Sequence, residues 1–151
     1  MKARVHRTFW IGVIMFLSVS LAFAEDAAGM LKSVKGEVSI VRNGAVIPTA
    51  AGMKLMPADK IISGPDSAVG ITLQDGTLLS FGAKSVSQLN AFRYDPVKQE
   101  GNMLISVLKG SMRFVTGLLG KTHPDSVAIR LPAATIGIRG TDFIVSVEGG
   151  E

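Results

Sequence analysis

Short segments of alternating apolar and polar residues, separated by strong turn signals, set the main constraint on the fold of this chain. Residues 34–40 and 69–73 alternate in this way, which is typical of half-buried β-strands. Asn43-Gly44 and Asp75-Gly76 follow these two segments. Both dipeptides favour tight hairpin turns because they tolerate positive φ angles. The sequence therefore predicts two hairpins early in the domain.

Turn signals recur about every 8–12 residues through the rest of the chain, which indicates an all-β architecture. We expect a short-stranded β-sandwich, barrel or solenoid-like domain. Residues 103–108 and 111–116 are predicted strands joined at Lys109-Gly110, and residues 127–131 and 136–147 complete the set. Residues 117–126 have no clear pattern, and a short helical turn at 27–32 or 115–119 is left open.

The first 24 residues have the layout of a secretory signal peptide, whose apolar core is expected to be helical. Three basic residues precede an apolar run over residues 9–21, and Ala22-Phe23-Ala24 places small residues at the −3 and −1 positions of a cleavage site. The alternative is a retained membrane anchor, although the run is shorter than the roughly 20 residues of a comfortable span. We expect cleavage after Ala24, which leaves residues 25–151 as one domain with a periplasmic or extracellular location.

The charge of the expected mature domain argues against nucleic acid as a partner. The chain has 16 Lys+Arg and 12 Asp+Glu, and three of the basic residues but no acidic residue lie in the first 24 positions. The mature part therefore carries 13 basic and 12 acidic side chains, a formal net charge of +1. Nucleic-acid binding needs a basic face with many phosphate contacts, and this balance provides no such surplus.

Catalytic and metal-binding patterns are weak in the expected mature domain. It has no cysteine and one histidine, His123, which disfavours a zinc site. Its aspartates are spread through turns, where they usually cap the local backbone. No Gly-x-Ser-x-Gly motif provides a nucleophile. We therefore expect a protein that is not an enzyme and that uses no cofactor or metal.

The stretch LPAATIGIRGTDFIVSV (131–147) has features of both a phosphate loop and a β-strand. Gly137 and Gly140 flank Arg139 at phosphate-loop spacing, but such a loop needs a following Lys-Ser/Thr and a helix N-terminus. Here Thr141-Asp142 opens an apolar-alternating strand, and its carboxylate would repel phosphate. We interpret the glycines as bulges or close backbone approaches, with Arg139 donating to carbonyls or a nearby carboxylate.

Several motifs in order resemble the FecR domain family, named for the regulator of bacterial ferric-citrate uptake. They are GEVSIVRNG (36–44), LMPADKIISGPDSAVGITLQDGTLLSFG (55–82), FRYDP (92–96), GSMRFVTG (110–117) and, most specifically, ATIGIRGTDFIV (134–145). One departure is Ala58, where the family usually has glycine before Asp59, and a differently shaped turn is expected there.

The resemblance implies a non-enzymatic, β-rich envelope domain. In the family's transmembrane regulators this domain lies in the periplasm and relays a receptor's state to a cytoplasmic sigma factor. Those regulators have a helical cytoplasmic domain, whereas only eight residues precede the apolar run here, so the sigma-factor role is not carried over. We expect an exported domain that binds a protein or envelope partner in cell-surface signalling or regulation. A carbohydrate- or cell-wall-binding module is the alternative.

The last expectations concern the edge strand at residues 141–147 and the motif at residues 137–142. Residues 141–147 are predicted to lie at a sheet edge with one side unpaired, because the Gly149-Gly150 turn signal is followed by no return strand within the given sequence. Either the domain lacks its final strands here or a partner completes the edge. Ile144, Val145 and Val147 would then form an edge that a partner strand completes. Gly137, Arg139, Gly140, Thr141 and Asp142 are expected to form a structural motif. Arg139 and Asp142 are expected to fix a local polar network. Arg139→Ala is therefore expected to lower the melting temperature by several degrees, because removing one member of a buried charged network costs about 2–4 kcal/mol.

Overall fold

The computed structural model describes residues 26–140 and 142–149. This part of the chain is predominantly β-structure, so the all-β prediction is confirmed. The predicted signal peptide, residues 1–24, lies outside the described residues. Within the described ranges, no helix is long and apolar enough to cross a membrane.

The described residues form twelve strands and two short helical segments. The strands are β1 Gly29–Lys35, β2 Val38–Arg42, β3 Ala45–Pro48, β4 Lys54–Leu55, β5 Lys60–Ser63, β6 Ala68–Leu73, β7 Leu78–Phe81, β8 Val86–Asp95, β9 Glu100–Val115, β10 Val127–Arg130, β11 Thr135–Gly137 and β12 Asp142–Val147. The helix α1 is Leu118–Thr122, and a 3₁₀ helix follows at Pro124–Ser126.

The sheet curls until its two ends approach each other. Nine strands follow the order β3-β2-β5-β8-β9-β7-β6-β1-β4, so β3 and β4 lie at opposite ends. A flat sheet of this size would separate these two strands by about 38 Å. Residues 49–53 connect them directly, and a linker of this length spans at most about 22 Å. The covalent connection therefore requires a curled sheet, and the molecule is a half-barrel.

Strand β9 runs through both halves of this curled sheet. Strand β7 pairs antiparallel with residues 112–115 of β9, and β8 pairs antiparallel with residues 100–109. Residues 82–85 connect β7 to β8 where the pairing changes from one to the other. They therefore lie along the same side of β9. Its other side is occupied by β10, which runs parallel to β9, and by β12, which is antiparallel.

Gly110 marks the bend in β9 where pairing changes from β8 to β7. Its φ angle is 86°, and an added Cβ would lie 2.5 Å from the Cα of Ser85. The Oγ of Ser85 also accepts a hydrogen bond from the Ser111 N–H at 3.1 Å. Only glycine allows the two backbones to approach this closely, so the bend is fixed at this residue.

One continuous core lies inside the curl. The buried side chains come from both halves of the sheet and belong to a single cluster, so the two halves pack against each other. The largest fully buried side chains are Phe81, Phe114, Leu31, Ile40, Leu55, Ile71, Leu79, Leu89, Ile105, Met112, Leu119 and Ile129. Burial of this apolar surface is the main stabilising contribution to the fold.

The side chain of Arg42 joins the two ends of the sheet. Arg42, at the end of β2, donates to both carboxylate oxygens of Asp59 at 2.8 and 2.7 Å. It also donates to the Lys54 carbonyl of β4 at 3.1 Å. Asp59 is almost fully buried and accepts a further hydrogen bond from the Met56 N–H at 2.8 Å. This arrangement holds the two sheet ends close together.

The local predictions are partly confirmed. Asn43-Gly44 forms the β2–β3 turn with φ angles of 50° and 79°, and Asp75-Gly76 lies in the β6–β7 turn. Residues 103–115, however, belong to one long strand rather than two, because the bend at Gly110 preserves pairing on both sides. The unassigned 117–126 region contains α1 and the 3₁₀ helix. The 27–32 region contains the start of β1, so the helical alternative there is wrong.

We predict that Gly110→Ala lowers the free energy of unfolding by about 3 kcal/mol, because it combines a strained φ with a backbone clash. Gly44→Ala is the matched control, since Gly44 has a similar φ but no atom within 4 Å of an added Cβ. We expect this control to cost only about 1 kcal/mol. Urea denaturation measures both values, and equal losses would contradict the role assigned to Gly110.

Candidate functional site

Strand β12 lies at an edge of the sheet. It pairs antiparallel with β9, from Asp142 opposite Val115 to Val147 opposite Gly110. No second strand among the described residues pairs with it. Among the described residues, the hydrogen-bonding groups on its other side are therefore unpaired, which is the condition for addition of a further strand.

The two faces of β12 differ sharply in exposure. Phe143, Val145 and Val147 point toward the core, and Phe143 stacks on Phe114 of β9 with ring centroids 5.2 Å apart. Ile144 points outward and is 70% exposed. The core contacts hold the strand in place, while the opposite face presents a large apolar side chain to solvent.

Among the described strands that pair with a single neighbour, β12 is the least protected against pairing with another chain. Strand β4 has two residues, β11 has three, and β3 has four and ends at Pro48, which lacks an N–H donor. Strand β12 has six residues and no proline. Short edges and proline are common protection against strand addition, and β12 has neither.

A charged pair fixes the start of β12 against β9. Arg113 donates to both carboxylate oxygens of Asp142, at 3.0 and 2.5 Å. The hydrogen bond from Arg113 lowers the pKa of the Asp142 carboxyl below its ordinary value. Any contribution of this pair to stability is therefore present above the ordinary aspartate pKa and is lost as the pH falls through the lowered pKa. The pair is exposed, and it neutralises the charge nearest the open edge.

The outer face of this half of the sheet has a second, partly apolar row of residues that is separate from Ile144. A row of directly opposed residues crosses four strands, and two of its members are exposed hydrophobic residues. From β1 to β9 this outer row is Met30, Thr72, Leu78 and Val115. Asp142, two residues before Ile144, is opposite Val115 and ends this row with a charged side chain.

The predicted buried network around Arg139 and Asp142 is wrong. Arg139 is exposed, and within the described ranges no hydrogen bond or ion pair joins it to another group. Asp142 pairs with Arg113 instead. The alternating pattern suggested sheet interior, but residues 138–140 lie in the connection between β11 and β12, where only Ile138 is buried.

The two glycines of this motif have different roles from those expected. No atom lies within 4 Å of a Cβ added to Gly137 or Gly140, so neither marks a close backbone approach. Gly140 has a φ angle of 139°, and its carbonyl accepts a hydrogen bond from Thr116 Oγ1 at 2.7 Å. The segment continues into a strand rather than a helix, which disfavours a phosphate loop. Thr141 lies outside the described residues.

A polar cleft beside the β8–β9 hairpin was not anticipated from the sequence. It has a volume of about 430 Å³ and contains Arg93, Asp95, Lys98 and His123 among its lining residues. A neighbouring depression of about 370 Å³ is lined in part by Phe92 and Tyr94. Residues 93 and 102 border both, so polar groups lie beside two half-buried aromatic rings.

Together these features define a small all-β domain with one long open edge. The family model described as FecR protein matches residues 59–151, more than half of the chain. The chain belongs to the FecR family. Comparisons with curated proteins and with solved structures found no match.

The match begins at Asp59, although the resemblance read from the sequence starts at residue 36. Strands β1–β4 precede the matched region and form part of the same sheet. Ala58, where the family usually has glycine, has a φ angle of 71°. It therefore adopts the left-handed conformation that glycine enters at lower cost.

We predict that Arg139→Ala changes the free energy of unfolding by no more than about 0.5 kcal/mol, because the side chain is exposed and has no described partner. The control is Asp59→Ala, which removes the buried partner of Arg42 and should cost about 3 kcal/mol. Thermal denaturation of both variants provides the measurement. A loss of stability for Arg139→Ala as large as that of the control would contradict this prediction and support a buried network around Arg139.

Proposed function

We propose that this protein is an exported, non-catalytic envelope domain that binds another protein chain through the open edge of β12. The main support is that β12, the longest described strand with a single neighbour, has no partner on its other side and exposes Ile144. Backbone groups of an added strand supply affinity in this mode, and pockets or exposed side chains supply selectivity.

Two further considerations support export and a regulatory role. The first 24 residues have the features of a signal peptide, which supports a periplasmic or extracellular location. FecR domains are associated with the regulation of cell-surface signalling, and the family is generally non-enzymatic. A protein partner in the cell envelope is consistent with export and with a regulatory role. The proposal includes no cofactor, metal or nucleic acid.

We predict that a photo-crosslinking amino acid at position 144 forms a covalent adduct with another protein chain in intact cells. Position 46 is the matched control, because Val46 is 69% exposed and also lies on an edge strand, the proline-terminated β3. Gel electrophoresis followed by mass spectrometry identifies each adduct. Absence of an adduct at position 144, or equal adducts at both positions, would contradict binding through β12.

A carbohydrate-binding module is the second candidate, favoured by the half-buried aromatic rings beside the polar cleft. Aromatic rings stack on sugar faces, while polar side chains orient hydroxyl groups. In that case Tyr94→Ala should abolish binding in a saccharide panel measured by calorimetry, whereas Ile144→Lys should leave it intact. No binding by the unmodified protein at millimolar saccharide would eliminate this candidate.

A further inference from the structure

We propose that the polar cleft beside the β8–β9 hairpin binds a short peptide that carries both an ammonium group and a carboxylate. This site is separate from the edge of β12, and the inference does not rest on binding there. The cleft has a volume of about 430 Å³, within the roughly 300–1,000 Å³ range of small-ligand sites. Its side chains come from β8, β9, the turn between them and the segment at residues 123–126.

One end of the cleft, which we call the donor end, is lined by Arg93, Asn102 and Ser126. Arg93 lies directly opposite Asn102, so both side chains share one face of the hairpin. Ser126 comes next to this pair, since the following positions, Val127 and Met103, pair in the β9–β10 register. Within the described ranges, no ion pair joins Arg93 to a carboxylate. A guanidinium with neutral N–H and O–H donors beside it is suited to a ligand carboxylate.

The other end of the cleft, which we call the acceptor end, has the two carboxylates of Asp95 and Glu100. These residues are directly opposed on the same face of the hairpin, and directly opposed like charges destabilise a sheet. Asp95 is held in place, because its Oδ1 accepts hydrogen bonds from the Val97 and Lys98 N–H groups at 2.9 and 3.1 Å. A ligand ammonium between the two carboxylates removes their repulsion and donates charge-assisted hydrogen bonds to both.

His123 adds an acceptor at the same end of the cleft. The Thr122 hydroxyl lies 3.3 Å from the Gln99 carbonyl of the β8–β9 turn, which places the neighbouring His123 near the acceptor end. This hydroxyl has one proton and donates it to a carbonyl, with that of Leu118 at 2.9 Å. His123 Nδ1 therefore donates to Thr122 Oγ1 at 3.0 Å, and Nε2 of the neutral ring is an acceptor. Lys98, the other cation of the cleft, forms no ion pair with a described carboxylate.

The spacing of the two ends selects the length of the ligand. Positions 93 and 95 of β8 are two residues apart, as are positions 100 and 102 of β9. An antiparallel strand rises about 3.4 Å per residue, so the donor and acceptor ends are about 7 Å apart. Two extended peptide residues span about 7 Å, whereas one amino acid spans about half of that distance. A dipeptide with free ends therefore reaches both ends of the cleft, and a neutral saccharide leaves their charges without partners.

NMR titration of the isotope-labelled protein, purified after export by expressing cells, with L-Ala-L-Ala tests this inference. We expect amide signals within residues 93–102 and 123–126 to shift, with a dissociation constant of about 1 mM because the ligand is small. The N-acetyl and C-amide forms of the dipeptide each lack one charged end and should bind about tenfold more weakly. A parallel titration with D-Ala-D-Ala distinguishes two sources of the ligand, since cell-wall peptides contain D-residues and peptides derived from proteins do not.

Two variants of the cleft match the two chemical changes in the ligand. Arg93→Gln should weaken binding of L-Ala-L-Ala about tenfold but leave binding of its C-amide unchanged, because the amide has no carboxylate to lose. Glu100→Gln should weaken binding of L-Ala-L-Ala similarly but leave binding of the N-acetyl form unchanged. Arg130→Gln is the matched control, because Arg130 is an exposed arginine of β10 outside the cleft lining, and it should bind normally.

The inference is overturned if neither dipeptide shifts these signals up to tens of millimolar, or if the blocked forms bind as tightly as the free forms. Equal weakening of free and blocked dipeptides by the cleft variants, or weakening by Arg130→Gln, also overturns it. A neutral saccharide that shifts the same signals while the dipeptides do not would assign the cleft to the carbohydrate-binding candidate. None of these outcomes changes the result expected from crosslinking at position 144, so the two proposals fail separately.

Discussion

The fold depends on the double-sided pairing of β9. This strand is hydrogen-bonded along one side to β8 and β7 and along the other to β10 and β12, so each half of the sheet is built on it. Its bend at Gly110 turns these halves toward each other. The apolar faces then form one core, and the positions of both ends of the sheet follow from that geometry.

A second feature of the curled sheet is the contact between β2 and β4, which lie near its two ends. The Arg42 side chain reaches both the Asp59 carboxylate and the Lys54 carbonyl. Breaking a buried pair leaves an uncompensated charge, which is why one ion pair can matter more than several exposed ones. The exposed Arg113–Asp142 pair has a more local effect, since it orients the start of β12.

The same architecture that brings two sheet ends together leaves β12 with a single neighbouring strand among the described residues. Residues 138–140 carry the chain from β11, on one half of the sheet, to β12 on the other. Strand β12 therefore meets β9 on its inner side and no described strand on its outer side. Its inward side chains Phe143 and Val145 are buried or half-buried, so the strand is packed against the domain. Packed strands lose less conformational entropy when a partner strand is added.

The sequence by itself determined the strand character, the hairpins at Asn43-Gly44 and Asp75-Gly76, and the inward pattern of β12, because alternation and turn chemistry are local properties. The motifs were also sufficient to indicate the family. Tertiary structure decided that residues 100–115 form one bent strand, that β10 runs parallel to β9, and that Asp142 pairs with Arg113 rather than with Arg139. Each of these depends on which distant segments lie side by side. Local alternation cannot distinguish an arginine inside a sheet from one in an exposed connection, because burial is set by neighbours that are far away in the chain.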